Sequence, residues 1–342
     1  MVFNGNGDAT KRQPRFLLPI FQQKCLVLHL NKSCLMKKGL LFTLIILAFL
    51  PWTKAQEKGT ATHSPIYLPQ LKAELPKEVS ETSGLFFHNG RLWTHNDSGG
   101  KPILFALDTT DFQVVQKVTL SNVKNKDWED VCTDGETVFV GDFGNNKGNR
   151  KDLRIYTFPL SSIPAEGDTF LQVDSIRFSF ADQTNFEKRK QAHDFDCEAV
   201  FATEDYLYLL SKGWETGTTR LYRLSKNGRE QVAEVVNGFD SQGLITGADY
   251  DREKHILAIV GYVKDIWKPF MYLISDFEED GTKLSNRRFE MPQLSGTQTE
   301  GICFFDDGRC YVSAETSPTV TTRVFVADFR KWIEKELKNK EK

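Results

Sequence analysis

The stretch Glu81-Thr-Ser-Gly-Leu-Phe-Phe-His-Asn-Gly-Arg-Leu-Trp93 contains the pattern that decides the fold. In it, an acidic or small polar residue and a small residue lead into an apolar strand, and a polar turn then leads into a second strand. Further copies of this pattern begin near Trp128, Cys197, Thr246 and Thr299. Counted at the first apolar strand, the copies follow one another at intervals of 46, 69, 48 and 54 residues. The chain is therefore interpreted as five repeats.

Each repeat continues with a third strand that carries an aromatic residue, and all but the last continue with a fourth strand. The third strands are expected at 103–105, 154–156, 220–222, 270–272 and 323–325, and the fourth strands at 113–120, 175–180, 230–236 and 287–291. Repeats of about 40–50 residues with four short strands are typical of a β-propeller. The sequence therefore predicts an all-β protein, a single β-propeller with five four-stranded blades.

The two ends of the repeat region are expected to complete the ring together. After Phe329 the chain becomes charged and helical, so the fifth repeat has no fourth strand of its own. We expect a strand at 66–71 to pair with it, which leaves no open sheet edge. The propeller then spans 66–330 and a charged helical tail follows at 331–342. Six blades are the alternative, because the interval of 69 residues has room for a degenerate blade, although the charged stretch 182–194 favours a loop.

The residues before the repeats have the character of a leader. Lys37 and Lys38, an apolar run at 40–50, and Thr53-Lys-Ala55 are the three parts of a secretory signal peptide at 36–55. The apolar run is shorter than the roughly 20 residues of a membrane span, and a signal anchor is the alternative. We expect residues 1–35 to be an upstream extension and 56–65 a linker. The mature protein is then secreted or periplasmic and has no membrane span.

The charge balance argues against a nucleic-acid partner. The full chain has 44 Lys and Arg residues and 46 Asp and Glu residues, and without residues 1–55 these numbers become 36 and 45. An acidic protein without a basic run is a poor nucleic-acid binder. We expect a monomer that binds a smaller ligand or a protein.

Four cysteines remain after the leader, namely Cys132, Cys197, Cys303 and Cys310. We expect small buried thiols. Cys303 and Cys310 would lie diagonally across two paired strands, which is poor geometry for a disulfide. A bridge between Cys132 and Cys197, on neighbouring inner strands, is the alternative.

The start of each first strand places a polar side chain at one end of the central channel, which we call the mouth. Five such residues form an inner ring, namely Ser83, Glu129, Glu198, Thr246 and Glu300. Converging carboxylates repel one another unless positive charge lies between them. Calcium takes about six to eight oxygen ligands in flexible geometry. The ring is therefore a candidate Ca2+ site; the alternative is a water-filled channel in which these side chains bond to the backbone of the next blade.

A second ring of polar side chains follows the second strands at the same mouth. Its members are Asn96, Asp97, Asp142, Asn145, Lys212, Trp214, Lys264 and Glu315. Asp97 and Asp142 are candidates for a catalytic base or for positioning water, and His95 is a candidate general base. The other six are candidates for binding a ligand through charge, hydrogen bonds or aromatic stacking. The loop 182–194 is a candidate lid, and ordinary solvated loop residues are the alternative interpretation of the histidine and the lysines.

The inner hairpins resemble a known family. Glu81-Thr-Ser-Gly-Leu85, Trp128-Glu129, Glu198-Ala199-Val200 and Glu300-Gly301-Ile302 are similar to the calcium-activated nucleotidases (apyrases), five-bladed propellers with one calcium in the central tunnel. The resemblance covers residues 80 to 315 and implies that the family's serine and glutamate ligands fall on the inner ring. Thr246-Gly247 departs from it, because a serine is expected there. The segment 127–146 also looks like uncharacterised secreted bacterial propellers, and six-bladed lactonase and esterase propellers are further relatives.

Two functions follow from these observations. The first is a non-catalytic protein that binds a polar or anionic small ligand, a glycan or a protein at the mouth, next to a calcium ion. The second is a calcium-dependent hydrolase of phosphate esters, nucleotides or lactones. The propeller fold hosts both classes, and the lack of a tight catalytic motif in the sequence favours binding.

Overall fold

A computed structural model describes residues 64–275, 277–278, 285–315 and 320–340. The predicted extension at 1–35, the signal peptide at 36–55 and nearly all of the linker at 56–65 lie outside these residues. The described part of the chain is almost entirely strand and turn, with one α-helix near the end. No helix in this part is long and apolar enough to cross a membrane.

The strands follow the predicted repeats closely. Repeat 1 contains β2 to β5, repeat 2 contains β6, β7, β8 and β10, repeat 3 contains β11 to β14, repeat 4 contains β15 to β18, and repeat 5 contains β19 to β21. The bounds are β1 Gln70–Glu74, β2 Thr82–His88, β3 Arg91–Asn96, β4 Ile103–Asp108, β5 Val114–Leu120, β6 Trp128–Thr133, β7 Thr137–Asp142, β8 Leu153–Pro159, β9 Thr169–Leu171, β10 Asp174–Phe180, β11 Asp196–Ala202, β12 Tyr206–Lys212, β13 Thr218–Ser225, β14 Glu230–Asp240, β15 Leu244–Asp251, β16 Ile256–Val263, β17 Lys268–Ser275, β18 Ser285–Glu290, β19 Thr299–Asp306, β20 Arg309–Ala314, β21 Arg323–Asp328 and α1 Arg330–Lys340.

Successive strands of a repeat pair antiparallel, and the first strands of the repeats lie at the centre. β2 contacts β6, β6 contacts β11, β11 contacts β15, β15 contacts β19, and β19 contacts β2. This arrangement is propeller-like and all-β, as the sequence predicts. The first strands are buried along nearly their whole length, whereas outer strands such as β10 alternate between buried and exposed positions.

The core lies between the sheets of neighbouring repeats. One buried cluster, for example, combines Phe86 and Trp93 of repeat 1 with Val131, Val140 and Tyr156 of repeat 2. Burying a side chain of this size stabilises the folded state by about 1.5–3 kcal/mol. Because each sheet packs on both faces, an inner strand has no polar side to alternate with, and this explains the continuous apolar runs of the sequence.

The outer strands connect neighbouring repeats through backbone pairing. The short strand β9, inserted in repeat 2 between β8 and β10, pairs parallel with β5 of repeat 1. β10 of repeat 2 pairs parallel with β14 of repeat 3, so these two repeats share one eight-stranded sheet. The interval of 69 residues therefore contains β9 and the strand-free stretch 181–195, and no further four-stranded unit is present among these described residues.

The N-terminal strand differs from its predicted position. The strand that pairs with β21 is β1, at Gln70–Glu74 and not at 66–71, and Leu71 lies opposite Phe325. Pro69 immediately precedes it, as expected for a residue that cannot donate a ladder hydrogen bond. The residues before Pro69 bond instead to the outer strand of repeat 4, where the Tyr67 amide donates to the Glu290 carbonyl at 2.8 Å.

The four cysteines of this part of the chain are free and buried. Cys303 lies opposite Tyr311 and Cys310 lies opposite Phe304, so the two thiols are diagonal across the strand pair, as the sequence predicts.

Candidate functional site

The strand register brings the two predicted rings together at the mouth. The residue that starts a first strand pairs with a residue at or next to the end of the following second strand. The pairs are Thr82 with Asn96, Trp128 with Asp142, Asp196 with Lys212, Leu244 with Tyr262, and Thr299 with Ala314. Side chains next to these positions therefore share one end of the molecule.

Three carboxylates of this region converge on one point. Asp97 follows β3, Asp127 precedes β6 and Glu129 lies on β6, and ligand oxygens of all three lie within 4.8 Å of one another. Within the described residues this is the only such group of three or more Asp, Glu, His or Cys side chains. We call these three residues the acidic triad. Glu129 and Asp97 belong to the predicted rings, whereas sequence analysis passed over Asp127.

The acidic triad brings three carboxyl groups together beside one cationic side chain, since Arg150 Nη1 lies 4.0 Å from Asp127 Oδ2. Glu129 is only 5% exposed, and no residue of the described chain donates a hydrogen bond to its carboxylate. Burial, followed by the charges of Glu198 and Asp97, raises the pKa of Glu129 well above its ordinary value. Burial and the charge of Asp97 likewise raise the pKa of Asp127 to about 7. Burial is the main cause of both shifts, and at Asp127 the charge of Arg150 offsets it in part.

The donor set of the triad fits a hard divalent cation. All the available ligand atoms are carboxylate oxygens, which suit Ca2+ and Mg2+ and do not suit zinc in a structural site. The backbone leaves room beside Glu129, because a Cβ atom on Gly144 would lie only 1.9 Å from Glu129 Oε1. Three protein side chains supply only part of the coordination of calcium, so water or a bound ligand would complete it.

The hydroxyl members of the predicted inner ring are engaged elsewhere. The Ser83 hydroxyl donates a hydrogen bond to the backbone carbonyl of Glu129 in the next repeat. The Thr246 hydroxyl donates to the carbonyl of Thr299 in the next repeat at 2.6 Å. Both contacts match the alternative interpretation, in which strand-initial residues bond to the neighbouring backbone.

The remaining glutamates of the inner ring lie near Lys212. The Lys212 ammonium is 3.0 Å from Glu198 Oε2, and both side chains are buried. Burial raises the pKa of Glu300, while the charge of Lys212 lowers it. The positive charge that converging carboxylates require is thus supplied in this part of the mouth by a lysine.

A basic pocket of about 880 Å³ adjoins the acidic triad. Asp127 is part of its wall, so the pocket and the triad are contiguous. Six basic residues line it, namely Lys126, Lys147, Arg150, Lys151, Lys188 and Lys190. The pocket is also lined by four residues with side-chain amides, namely Asn145, Asn146, Asn149 and Gln191. The arrangement places a cluster of carboxylates that could hold a cation beside a basic surface.

The candidate lid forms one side of this pocket. The Arg189 amide donates to the Lys147 carbonyl at 2.9 Å, and the Gln191 amide donates to the Asn146 carbonyl at 2.9 Å. The loop 182–194 therefore lies beside the loop after β7. Its lysines were not singled out by sequence analysis, because they fall between repeats.

Two of the predicted catalytic residues lie away from the pocket lining. Asp142 accepts hydrogen bonds from Arg150 at 2.8 Å and from the Tyr156 hydroxyl at 3.0 Å. His95 is fully buried beneath Trp128, its Nδ1 lies 3.0 Å from the Asn96 carbonyl, and burial lowers its pKa to about 4. A histidine in this position stays neutral near pH 7.

Several predicted ligand-binding residues hold loops in place. Asn96 donates to the Glu78 carbonyl at 2.8 Å, and Asn145 donates to the Phe195 carbonyl at 2.9 Å. The Trp214 indole donates to Asp196 at 2.6 Å, and the exposed Lys264 ammonium lies 5.4 Å from the Trp214 ring. Glu315 accepts a hydrogen bond from Gln298, and burial and Asp97 raise its pKa to about 7. Asn145 alone among these lines the basic pocket.

Comparison with known proteins leaves the family open. No protein-family model and no curated protein matches this sequence. Among solved structures, a glucose dehydrogenase is 10% identical over 75% of this chain and 98% of its own, with a TM-score of 0.44. A mannose phosphorylase from Leishmania mexicana is 10% identical over 79% and 91%, with a TM-score of 0.44. A gluconolactonase from Xanthomonas campestris is 10% identical over 77% and 95%, with a TM-score of 0.37. Likeness at these values supports neither a shared activity nor a shared substrate.

Proposed function

We propose that the chain is an extracytoplasmic five-bladed propeller that binds an anionic ligand at its mouth with the help of a calcium ion. The observation that carries this proposal is the contact between the acidic triad and the basic pocket through Asp127. An acidic cluster can hold a cation and the adjacent basic pocket can hold an anion, and the two bound ions would attract each other.

The five-bladed architecture rests on the contacts of the first strands. They follow one another in chain order and return from β19 to β2. Pairing of β1 with β21 supplies the fourth strand of repeat 5. Secretion is proposed from the leader sequence alone.

The cation would be held by Asp97, Asp127 and Glu129. This set takes Glu129 from the predicted inner ring and Asp97 from the second ring, and it adds Asp127, because these three carboxylates converge. A bound calcium ion would supply positive charge and open coordination positions for an oxygen of the ligand.

The anion would lie in the basic pocket. Arg150 is fixed there by Asp142, whereas Lys188 and Lys190 are exposed on the loop 182–194. Exposed lysines attract an anion as mobile point charges, which suits a phosphate or carboxylate better than a neutral sugar.

The test is a thermal melt of residues 56–342, first freed of metal with a chelator, with and without calcium. We expect calcium to raise the melting midpoint because it binds the folded state. The Asp97→Asn and Asp127→Asn variants should lose this rise. Asp174→Asn, which changes an exposed carboxylate on the outer strand β10, should keep it. An equal rise in all four proteins would reject the triad as the cation site.

The anion site is tested with inorganic phosphate and pyrophosphate in a calorimetric titration. We expect binding in the presence of calcium, and at least a tenfold loss of affinity when Lys188 and Lys190 are both replaced by alanine. Replacement of the exposed Lys72 and Lys77, which lie outside this pocket, should leave affinity unchanged. Equal affinity in both double variants would reject the pocket.

A calcium-dependent hydrolase is the second candidate, favoured by one observation. Asp127 lies in both the triad and the pocket wall, so a bound anion would lie next to a carboxyl group and to the proposed cation. In this case a panel of phosphate esters, nucleotides and lactones should include a substrate that Asp127→Asn no longer hydrolyses. Lack of turnover across the panel at saturating calcium would leave binding as the function.

A further inference from the structure

The ammonium of the buried Lys212, at the mouth, is surrounded by groups that bind cations. Lys212 ends β12 and is 6% exposed. Its ammonium lies 3.0 Å from Glu198 Oε2, 4.9 Å from the centre of the Trp214 ring and 5.5 Å from that of the Tyr262 ring. Aromatic faces attract a cation, most strongly when it is desolvated. The ammonium therefore has a carboxylate and two ring faces around it.

Acidic groups from several elements face this ammonium. Glu198 on β11 is the nearest, and Glu300 on β19 and Asp196 on β11 also interact with its charge. Asp97 and Glu315 interact with the same charge from their loops. Removal of one partner from a buried ion pair is strongly unfavourable, because it leaves an uncompensated charge. Lys212 therefore offsets the charge of acidic side chains from repeats 1, 3 and 5.

We propose that the Lys212 ammonium is a built-in cation that replaces a metal ion between Glu198 and Glu300. Four of the five residues predicted to hold a central calcium then have another partner or neighbour. Ser83 and Thr246 bond to backbone carbonyls, Glu198 pairs with Lys212, and Glu300 lies in the field of Lys212. Glu129, the fifth residue, belongs to the acidic triad.

Removal of the Lys212 ammonium should turn its position into a site for an exogenous cation. Truncation of Lys212 to alanine removes the ammonium that lies 3.0 Å from Glu198 Oε2, and it leaves the charges of Glu198 and Glu300, which both act on that ammonium, without their cation. Oxygen ligands in a buried, negatively charged space are what calcium prefers. The variant should therefore gain a calcium site that the parent protein does not have.

The experiment uses the Asp97→Asn, Asp127→Asn double variant of the full mature chain as a background. In this background we expect no calcium binding by calorimetric titration. Addition of Lys212→Ala should raise the stoichiometry to about one calcium per chain and make the melting midpoint rise with calcium, by about 5 °C or more at saturation. Lys212→Arg in the same background keeps a cation and should gain nothing. A folded Lys212→Ala protein without calcium binding would overturn the inference.

A second measurement needs no truncation. In protein labelled with 15N-lysine, a buried and paired ammonium should give a slowly exchanging NMR signal that is absent from Lys212→Arg. We expect this signal to persist unchanged at saturating calcium, and its displacement by calcium would overturn the inference. Calcium binding by the background variant with the lysine signal intact would reject the triad proposal and leave this one standing.

Discussion

Replacement of Asp127 by asparagine should change how stability depends on pH. Burial and the charges of Asp97 and Asp196 raise the pKa of this carboxyl from 3.8 to about 7. A raised pKa means that the folded state holds a proton which the unfolded chain has lost. The contribution of this carboxyl to the free energy of unfolding is therefore fully present below its pKa in the unfolded chain. It is lost as the pH rises through its pKa in the folded protein. For this reason, the free energy of unfolding of the calcium-free protein should fall between pH 5 and pH 8.

The size of the effect follows from the pH range in which Asp127 is protonated in the folded state and ionised in the unfolded state. Between pH 5 and the folded pKa of about 7 there are two units, and each unit corresponds to about 1.4 kcal/mol. The wild-type protein should thus lose roughly 3 kcal/mol relative to Asp127→Asn between pH 5 and pH 8. The comparison is made as a difference, so most other titrating groups cancel.

The assay is urea unfolding of both proteins in chelator at pH 5, 6, 7 and 8. Asp152→Asn is the matched control, because Asp152 lies in the same pocket but pairs with Lys126 at 2.6 Å and has a lowered pKa. Its stability should be offset from the wild type by a constant amount across this range. Parallel curves for the wild type and Asp127→Asn would refute the reasoning about the triad.

Three further predictions concern the supports of the site and the ring. In Gly144→Ala the new Cβ would lie 1.9 Å from Glu129 Oε1, so the calcium-induced rise in melting midpoint should fall by at least half; an undiminished rise would contradict the proposed site. Arg150→Met leaves the buried Asp142 without its ionic partner and should lower the free energy of unfolding in urea by about 3 kcal/mol, whereas a change below about 0.5 kcal/mol would contradict this. Deletion of the chain through β1 exposes the edge of β21 and should lower the melting midpoint and increase light scattering, and a monodisperse protein of unchanged midpoint would show that β1 is dispensable.

The strand pattern could be predicted from the sequence because the inner strands pack on both faces. Their apolar runs and the small residues before them are required by that packing, so all five repeats share them. The N-terminal strand was misplaced by four residues for a related reason. Ile66 and Leu71 look like core residues in the sequence, yet they are 69% and 48% exposed. Apolar character alone does not say whether a neighbouring sheet covers a side chain.

The candidate site contains Asp97 and Glu129 of the predicted rings, and it adds Asp127. The hydroxyls of Ser83 and Thr246, which the sequence predicts as metal ligands, each donate a hydrogen bond to a carbonyl of the next repeat. That carbonyl is distant in sequence, so spacing could not reveal it. Asp127 precedes the repeated pattern by one residue, although the run Asp-Trp-Glu-Asp at 127–130 was a usable signal. Lys188 and Lys190 lie in a loop that no other repeat contains.

Backbone hydrogen bonds between outer strands join the five repeats into two groups. Backbone hydrogen bonds of β9 and β10 tie repeats 1, 2 and 3 into one body, and the segment from Pro65 through β1 ties repeats 4 and 5 into another. Two boundaries remain, which we call the seams: one between repeats 3 and 4, and one between repeats 5 and 1. Across these seams, the outer strands of the described chain share no backbone ladder. Under load, or in a slow thermal opening, the ring should part at those seams, and amide exchange would locate them. The whole acidic triad lies within the first body, so such an opening would widen access to it without pulling its ligands apart.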